Sequence, residues 1–137
     1  MEFLLRTLAG SELSPNSISG SAQKRRVIAS ERKRLRAEAA IEIQAKYGTE
    51  IPSYPAGLVD ITYRHSFKRP GDDYYRPTDC SNIGGDCIKP VIDALVDMGV
   101  LPDDDYKHVP AVILRIEKCK ELTEEGYYVM VQPLVAS

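Results

Sequence analysis

The chain has 137 residues with 18 basic and 20 acidic side chains, a formal charge of −2. That length suits one domain, residues 1–137, around one hydrophobic core, and the near-neutral balance excludes a protein that attracts polyanions by net charge alone. Three cysteines, Cys80, Cys87 and Cys119, without CxxC spacing and without a signal or transmembrane run exclude a secreted disulfide framework. The expectation is a protein of a reducing cytoplasm with no membrane partner.

Glu2 to Thr7 reads as a first strand, and Leu8 to Ser21, rich in Ser, Gly and Pro, as the loop after it. From Ala22 the composition turns to Ala, Glu, Lys, Arg and Ile, which predicts a helix to about Tyr47, ended by Gly48 and Pro52. Ile28, Leu35, Ala39 and Ile43 share its apolar face, with Arg32 intruding on that side. The first half of this helix carries seven basic residues, Lys24, Arg25, Arg26, Arg32, Lys33, Arg34 and Arg36, against Glu31 alone. A charge run of this kind is commonly a solvated face, yet such a cluster also attracts phosphate backbones. Lys24, Arg25, Arg26, Lys33 and Arg34 are the candidate DNA contacts on it.

Leu58 to Phe67 alternates Val59, Ile61 and Tyr63 against Asp60, Thr62 and Arg64, a strand buried on one face. His65, within that pattern, reads as structural. Lys68 to Pro77 follows as a polar loop whose Lys68, Arg69 and Arg76 are further candidate phosphate contacts. Beyond the next helix, Val112 to Lys118 and Tyr127 to Gln132 read as strands, with Glu121 to Gly126 connecting them. The order strand, helix, strand, helix, strand, strand predicts an α+β domain with one small mixed sheet and two main helices.

Between those parts lies the stretch Asp79 to Asp105, DCSNIGGDCIKPVIDALVDMGVLPDDD. Ile88, Val91, Ile92, Leu95 and Met98 form the buried stripe of an amphipathic helix, which leaves Asp86, Lys89, Asp93 and Asp97 together on the opposite side. Pro90 belongs in a first turn, so this helix is expected to begin near Asp86 or Cys87 rather than at Ile83. Asp86 is then either its N-cap or a metal ligand. Three aspartates follow, Asp103, Asp104 and Asp105. Carboxylates gathered this closely raise one another's pKa unless a cation neutralises them, and a hard divalent ion with oxygen ligands is the economical partner. That chemistry points to phosphodiester cleavage. A zinc site from Cys80, Cys87 and His108 matches no ligand spacing.

The run Lys89-Pro90-Val91-Ile92-Asp93-Ala94-Leu95, then Gly99, then Asp103-Asp104, resembles the core signature of the RusA-like Holliday junction resolvases of phages and prophages. The family's D-x-D-N motif maps onto Asp79-Cys80-Ser81-Asn82, with Ser81 where the second Asp stands, and the gap to Lys89 is longer by about four residues, about one helical turn. The added Asp86 is positioned to replace the lost ligand. The resemblance implies a Mg²⁺-dependent endonuclease, with Mn²⁺ as the alternative ion, that resolves four-way DNA junctions in recombination and repair. Asp79, Asp86 and Asp104 would hold the ion, with Asp103 or Asp105 as alternatives in the triplet. Lys89 would stabilise the transition state, and Asn82 and Asp93 would orient the ligands. The resemblance also implies a homodimer, one active site for each strand cut, in the cytoplasm of a bacterial host.

Two other readings compete. A DNA-binding protein of the same fold without catalysis would account for Ser81. A phage interaction protein that meets a basic partner through its acidic face would account for the aspartates but not for the basic run.

Overall fold

A computed structural model describes residues 1–6, 21–66 and 80–134, leaving aside the side chains of 21–28, 80–83, 86 and 122. The elements run β1 (Glu2–Leu5), α1 (Ser21–Tyr47), β2 (Gly57–His65), α2 (Cys80–Asp97), β3 (Val112–Lys118), a short 3₁₀ turn (Leu122–Glu124) and β4 (Gly126–Pro133). The strands form one mixed sheet in the order β1-β4-β2-β3. β2 and β3 are parallel, with Val59 opposite Val112 and Ile61 opposite Leu114, whereas β4 lies antiparallel between β1 and β2. The expected α+β architecture, one small mixed sheet with two helices, is what the chain adopts.

The connections follow from those directions. β1, β2 and β3 all point the same way, so each return journey needs a crossover, and α1 and α2 make the two returns. Because strand side chains alternate, one face of the sheet takes Phe3, Leu5, Val59, Ile61, Tyr63, Tyr127, Val129 and Val131 into the core. Leu35, Ala39 and Ile43 of α1, and Cys87, Val91, Ala94 and Leu95 of α2, are buried against them. The intervening strand positions Asp60, Thr62 and Arg64 stay on the half-exposed opposite face.

Both helices stop at glycines in the left-handed region. Gly48, at φ 58°, donates its N–H to the Gln44 carbonyl at 2.8 Å, and Gly99, at φ 75°, donates to Val96 at 3.1 Å. After Gly99 the chain turns back through Val100 and Leu101, both buried, whose amides share the Leu95 carbonyl. The exposed aspartate loop therefore hangs between two anchored points, Leu101 and Val109.

The start of α2 corrects the sequence reading. The helix begins at Cys80, not near Asp86 or Cys87, and Pro90 lies inside it and is buried. An interior proline offers no N–H to the carbonyl four residues earlier, here that of Asp86, and costs about 3 kcal/mol in isolation. Tertiary contacts offset that cost. A side chain at Gly84 would meet Ile88 and, at 3.4 Å, the Leu114 side chain of β3, so the first turns already touch the sheet. Arg32 of α1 donates to the Gly85 carbonyl at 2.6 Å, one residue before the carbonyl that Pro90 leaves without its helical partner. This contact accounts for an arginine on the apolar side of α1. It also removes the N-cap role for Asp86, which occupies an interior helical position.

No helix among the described residues is long and apolar enough to cross a membrane.

If Arg32 supports the turn opened by Pro90, Arg32→Ala is expected to speed amide hydrogen exchange at residues 84–89 several-fold while global stability falls by less than about 1 kcal/mol, as for an exposed hydrogen bond. In the unsubstituted protein those amides should exchange more slowly than a loop. Loop-like exchange at 84–86 would return the start of α2 to Asp86.

Candidate metal and nucleic-acid site

The wet side of α2 is a row of alternating charges. The Lys89 ammonium touches the carboxylate of Asp104, fifteen residues on, and lies 3.0 Å from Asp93 Oδ1 one turn along the helix. Arg36 of α1 takes the far end of the row, at 3.6 Å from Asp93 Oδ2, and donates twice to Asp97 at 2.6 and 2.7 Å. Five charges thus run Asp104, Lys89, Asp93, Arg36, Asp97, each between neighbours of opposite sign. Asp93 is the half-buried centre of the row, whereas Lys89 and Asp104 lie open to water.

The triplet divides its labour by position. Asp103 Oδ1 accepts the Asp104 N–H at 2.7 Å. Asp105 Oδ1 accepts the amides of Lys107 and His108 at 3.0 and 3.1 Å and lies 2.6 Å from His108 Nδ1. These are the local turn contacts that aspartate makes with nearby backbone. The outer two aspartates thus hold the loop, and Asp104 is the one that reaches Lys89.

Opposite charge sets the ionisation of that pair. Hydrogen bonds to Asp104 and then to Asp93 hold the Lys89 pKa above its ordinary value. The hydrogen bond from Lys89 in turn holds the Asp104 carboxyl below the usual carboxylate range. Asp97 is lowered in the same way by Arg36.

Of the residues expected to bind the ion, Asp104 and Asp103 are described, Asp79 lies outside the described residues, and Asp86 is placed by its backbone alone. Asp86 stands three residues before Lys89 and seven before Asp93, a spacing that returns to the same helical face. Asn82 is likewise placed only as a helix position. Among the described residues no three His, Cys, Asp or Glu side chains are grouped as a metal would need. The donor chemistry nonetheless fits a hard ion. Asp103 and Asp104 set two exposed carboxylates side by side on one loop, and Mg²⁺ takes one or two such carboxylates along with phosphate and water. Cys87 is buried in the core, away from any zinc role with His108.

The basic run is less uniform than its sequence suggests. Arg34 is committed to Glu31 and, at 3.0 Å, to Glu38 on its own helix, Arg32 to Gly85, and Arg36 to α2. Arg34 is therefore not a free cation for phosphate. Lys33 is exposed with no carboxylate partner among the described residues. Lys24, Arg25 and Arg26 lie on the first turns of α1 with side chains outside the description, and Lys68, Arg69 and Arg76 lie outside the described residues.

Sequence reasoning did not find two features. Arg36 belongs to the basic cluster in sequence, and no signal in one dimension pairs it with carboxylates 57 and 61 positions away. At the end of β2, Glu125 Oε2 accepts the Ser66 N–H at 2.8 Å and the Ser66 hydroxyl at 3.0 Å, and lies 3.3 Å from His65 Nε2. His65 also stacks on Tyr63. This knot holds the point where the chain leaves the sheet toward Asp79. A separate cleft of about 460 Å³ on the opposite sheet face, lined by Lys46, Asp60, Arg64, Arg115 and Tyr128 among others, contains none of the expected site residues. Two of its arginines are engaged, Arg115 with Asp60 at 2.6 Å and Arg64 with Glu117 at 3.6 Å.

The pair's pH window follows from the two shifts. A carboxyl lowered by folding contributes stability above its unfolded pKa and loses it as pH falls through the lowered value. A raised lysine contributes below its unfolded pKa and loses it as pH rises through the raised one. The contribution of the Lys89–Asp104 contact is thus fully present above the ordinary aspartate range and below the ordinary lysine range. In a carbon-detected NMR titration, Asp104 is expected to titrate below an ordinary aspartate, and Lys89→Met should move its midpoint upward. An unmoved midpoint would mean that the two side chains do not meet in solution.

No protein-family model, no curated protein and no solved structure matches the chain.

Proposed function

We propose that the chain is a Mg²⁺-dependent endonuclease of branched DNA, acting on four-way junctions. The observation that carries this reading is the meeting of Lys89 with Asp104 on an open surface beside Asp93. The residues whose sequence pattern resembles the resolvase signature are thereby neighbours in space. Asp79, Asp86, Asp104 and Asp103 would hold the ion. Bound there, Mg²⁺ supplies a water activated for attack on phosphorus and neutralises charge on the leaving oxygen.

The roles of the chain's own groups follow from their surroundings. Lys89, raised by two carboxylates, stays protonated throughout the working pH range, so it is unsuited as a general base. It suits a fixed positive charge beside the phosphate, where charge grows in the transition state. Asp93, between Lys89 and Arg36, positions the ammonium. Asn82 is the other residue assigned to orienting the ligands. Lys24, Arg25, Arg26 and Lys33 on α1, with Lys68, Arg69 and Arg76 ahead of α2 in the sequence, would meet phosphates. A homodimer suits a substrate with two-fold symmetry. Ser81, in place of an aspartate, favours the second reading, a member of the same fold that binds DNA without cutting it.

Cleavage of labelled four-way junctions with and without Mg²⁺ separates the two. Asp104→Asn is expected to abolish cutting and leave junction binding within about a few-fold, since only the charged oxygen at the ion is lost. Asp86→Ala should impair cutting without lowering Tm, because alanine is the better residue inside a helix. Full activity in either variant removes that ligand from the assignment.

Binding at varied salt addresses the DNA surface. Each neutralised phosphate contributes roughly 0.9 to the slope of log affinity against log salt, so replacing Arg26 and Lys33 together should flatten it by about two units. Lys89→Ala should slow cutting with little change in slope. An unchanged slope in the double variant would move the footprint to Lys68, Arg69 and Arg76.

A further inference from the structure

Two residues beyond Asp104 stands Tyr106, 76% exposed and the most open large hydrophobic side chain among the described residues. A single exposed aromatic ring needs no explanation on an otherwise ordinary surface. This one is held in place by the backbone beneath it. The Asp105 carboxylate, just before the ring, ties down the amides of Lys107 and His108 just after it, and the Asp105 carbonyl accepts the N–H of Val109 at 2.8 Å. Val109 and Leu101 are buried, so both ends of the loop are fixed in the core. The ring is thus presented outward from a fixed turn whose neighbouring residue reaches Lys89.

An exposed aromatic on a fixed turn, beside a site that acts on a phosphodiester, is suited to stacking on a base. Tyrosine loses only two torsions on being held, so such a contact costs little entropy. In continuous duplex DNA both faces of every base are covered by neighbours, and the ring finds no partner. At a branch point stacking is interrupted and a base face is open.

We propose that Tyr106 is a specificity-determining residue: its ring stacks on the base left uncovered at a DNA branch point, with Lys107 beside it on the flanking phosphate. The inference rests on the branched-DNA reading above. The stack sets the distance from the branch to the phosphate that Lys89 and Asp104 meet, so it fixes where the strand is cut as well as which DNA is bound.

The test uses the full chain in EDTA, so that no strand is cut, with four-way junctions carrying 2-aminopurine at the branch point and a duplex of equal length as control. The wild-type protein is expected to quench the 2-aminopurine on binding. Tyr106→Ala should lose the quench and weaken junction binding by roughly 5- to 150-fold, the range for one base–aromatic stack, with duplex binding unchanged. Tyr106→Phe, which keeps the ring, should restore both. Unchanged junction affinity and quenching in Tyr106→Ala would overturn the inference while leaving the branched-DNA reading standing. Equal weakening on junction and duplex would also overturn it, because the ring would then carry no selectivity. A wild-type protein that binds neither DNA would overturn both.

Discussion

The burial of Cys87, Val91, Ala94 and Leu95 between the sheet and α1 decides what the rest of α2 can present. Each large apolar side chain removed from water stabilises the fold by about 1.5–3 kcal/mol, far more than a surface ion pair contributes. Helix rotation is therefore set by the apolar stripe. Lys89, Asp93 and Asp97 have no freedom to leave the opposite side, and they find there the Asp104 loop and Arg36. The stop at Gly99 acts in the same direction, because the chain must reverse immediately and seat Val100 and Leu101 before it can extend the aspartates.

That arrangement explains how three consecutive aspartates are tolerated. Two of the carboxylates accept backbone N–H groups within the loop and one meets an ammonium, so each of the three is compensated. The ion pairs of the row are exposed and add little to stability. Their consequence is positional. Lys89 is held between two carboxylates, and Asp93 between two cations, so the charged atoms of the proposed site are oriented before any phosphate arrives.

Pro90 shows a local rule yielding to tertiary packing. Its restriction on an isolated helix is real, but Gly84 against Leu114 and Arg32 on the Gly85 carbonyl hold the preceding turns in place. The consequence reaches the candidate site. Extending α2 back to Cys80 places Asn82 and Asp86 on the same helix as Lys89 and Asp93, where a helix beginning at Asp86 would have left Asn82 in a loop.

By itself the sequence determined the elements whose signals are periodic and local: β2 and β3 from apolar alternation, the apolar face of α2 at every third or fourth residue, the stop of α1 at Gly48, and hence the α+β class. It also brought Lys89 and the aspartate triplet into one proposal through a spacing pattern. Only the tertiary structure decided which of the three aspartates faces Lys89, that Arg36 is spent on carboxylates of the other helix, that β4 inserts between β1 and β2, and that a proline sits inside α2. The physical reason is common to all four. Each depends on free energy from groups brought together by the folded chain, some more than fifty residues apart in sequence, and neither propensity nor periodicity within one element registers it.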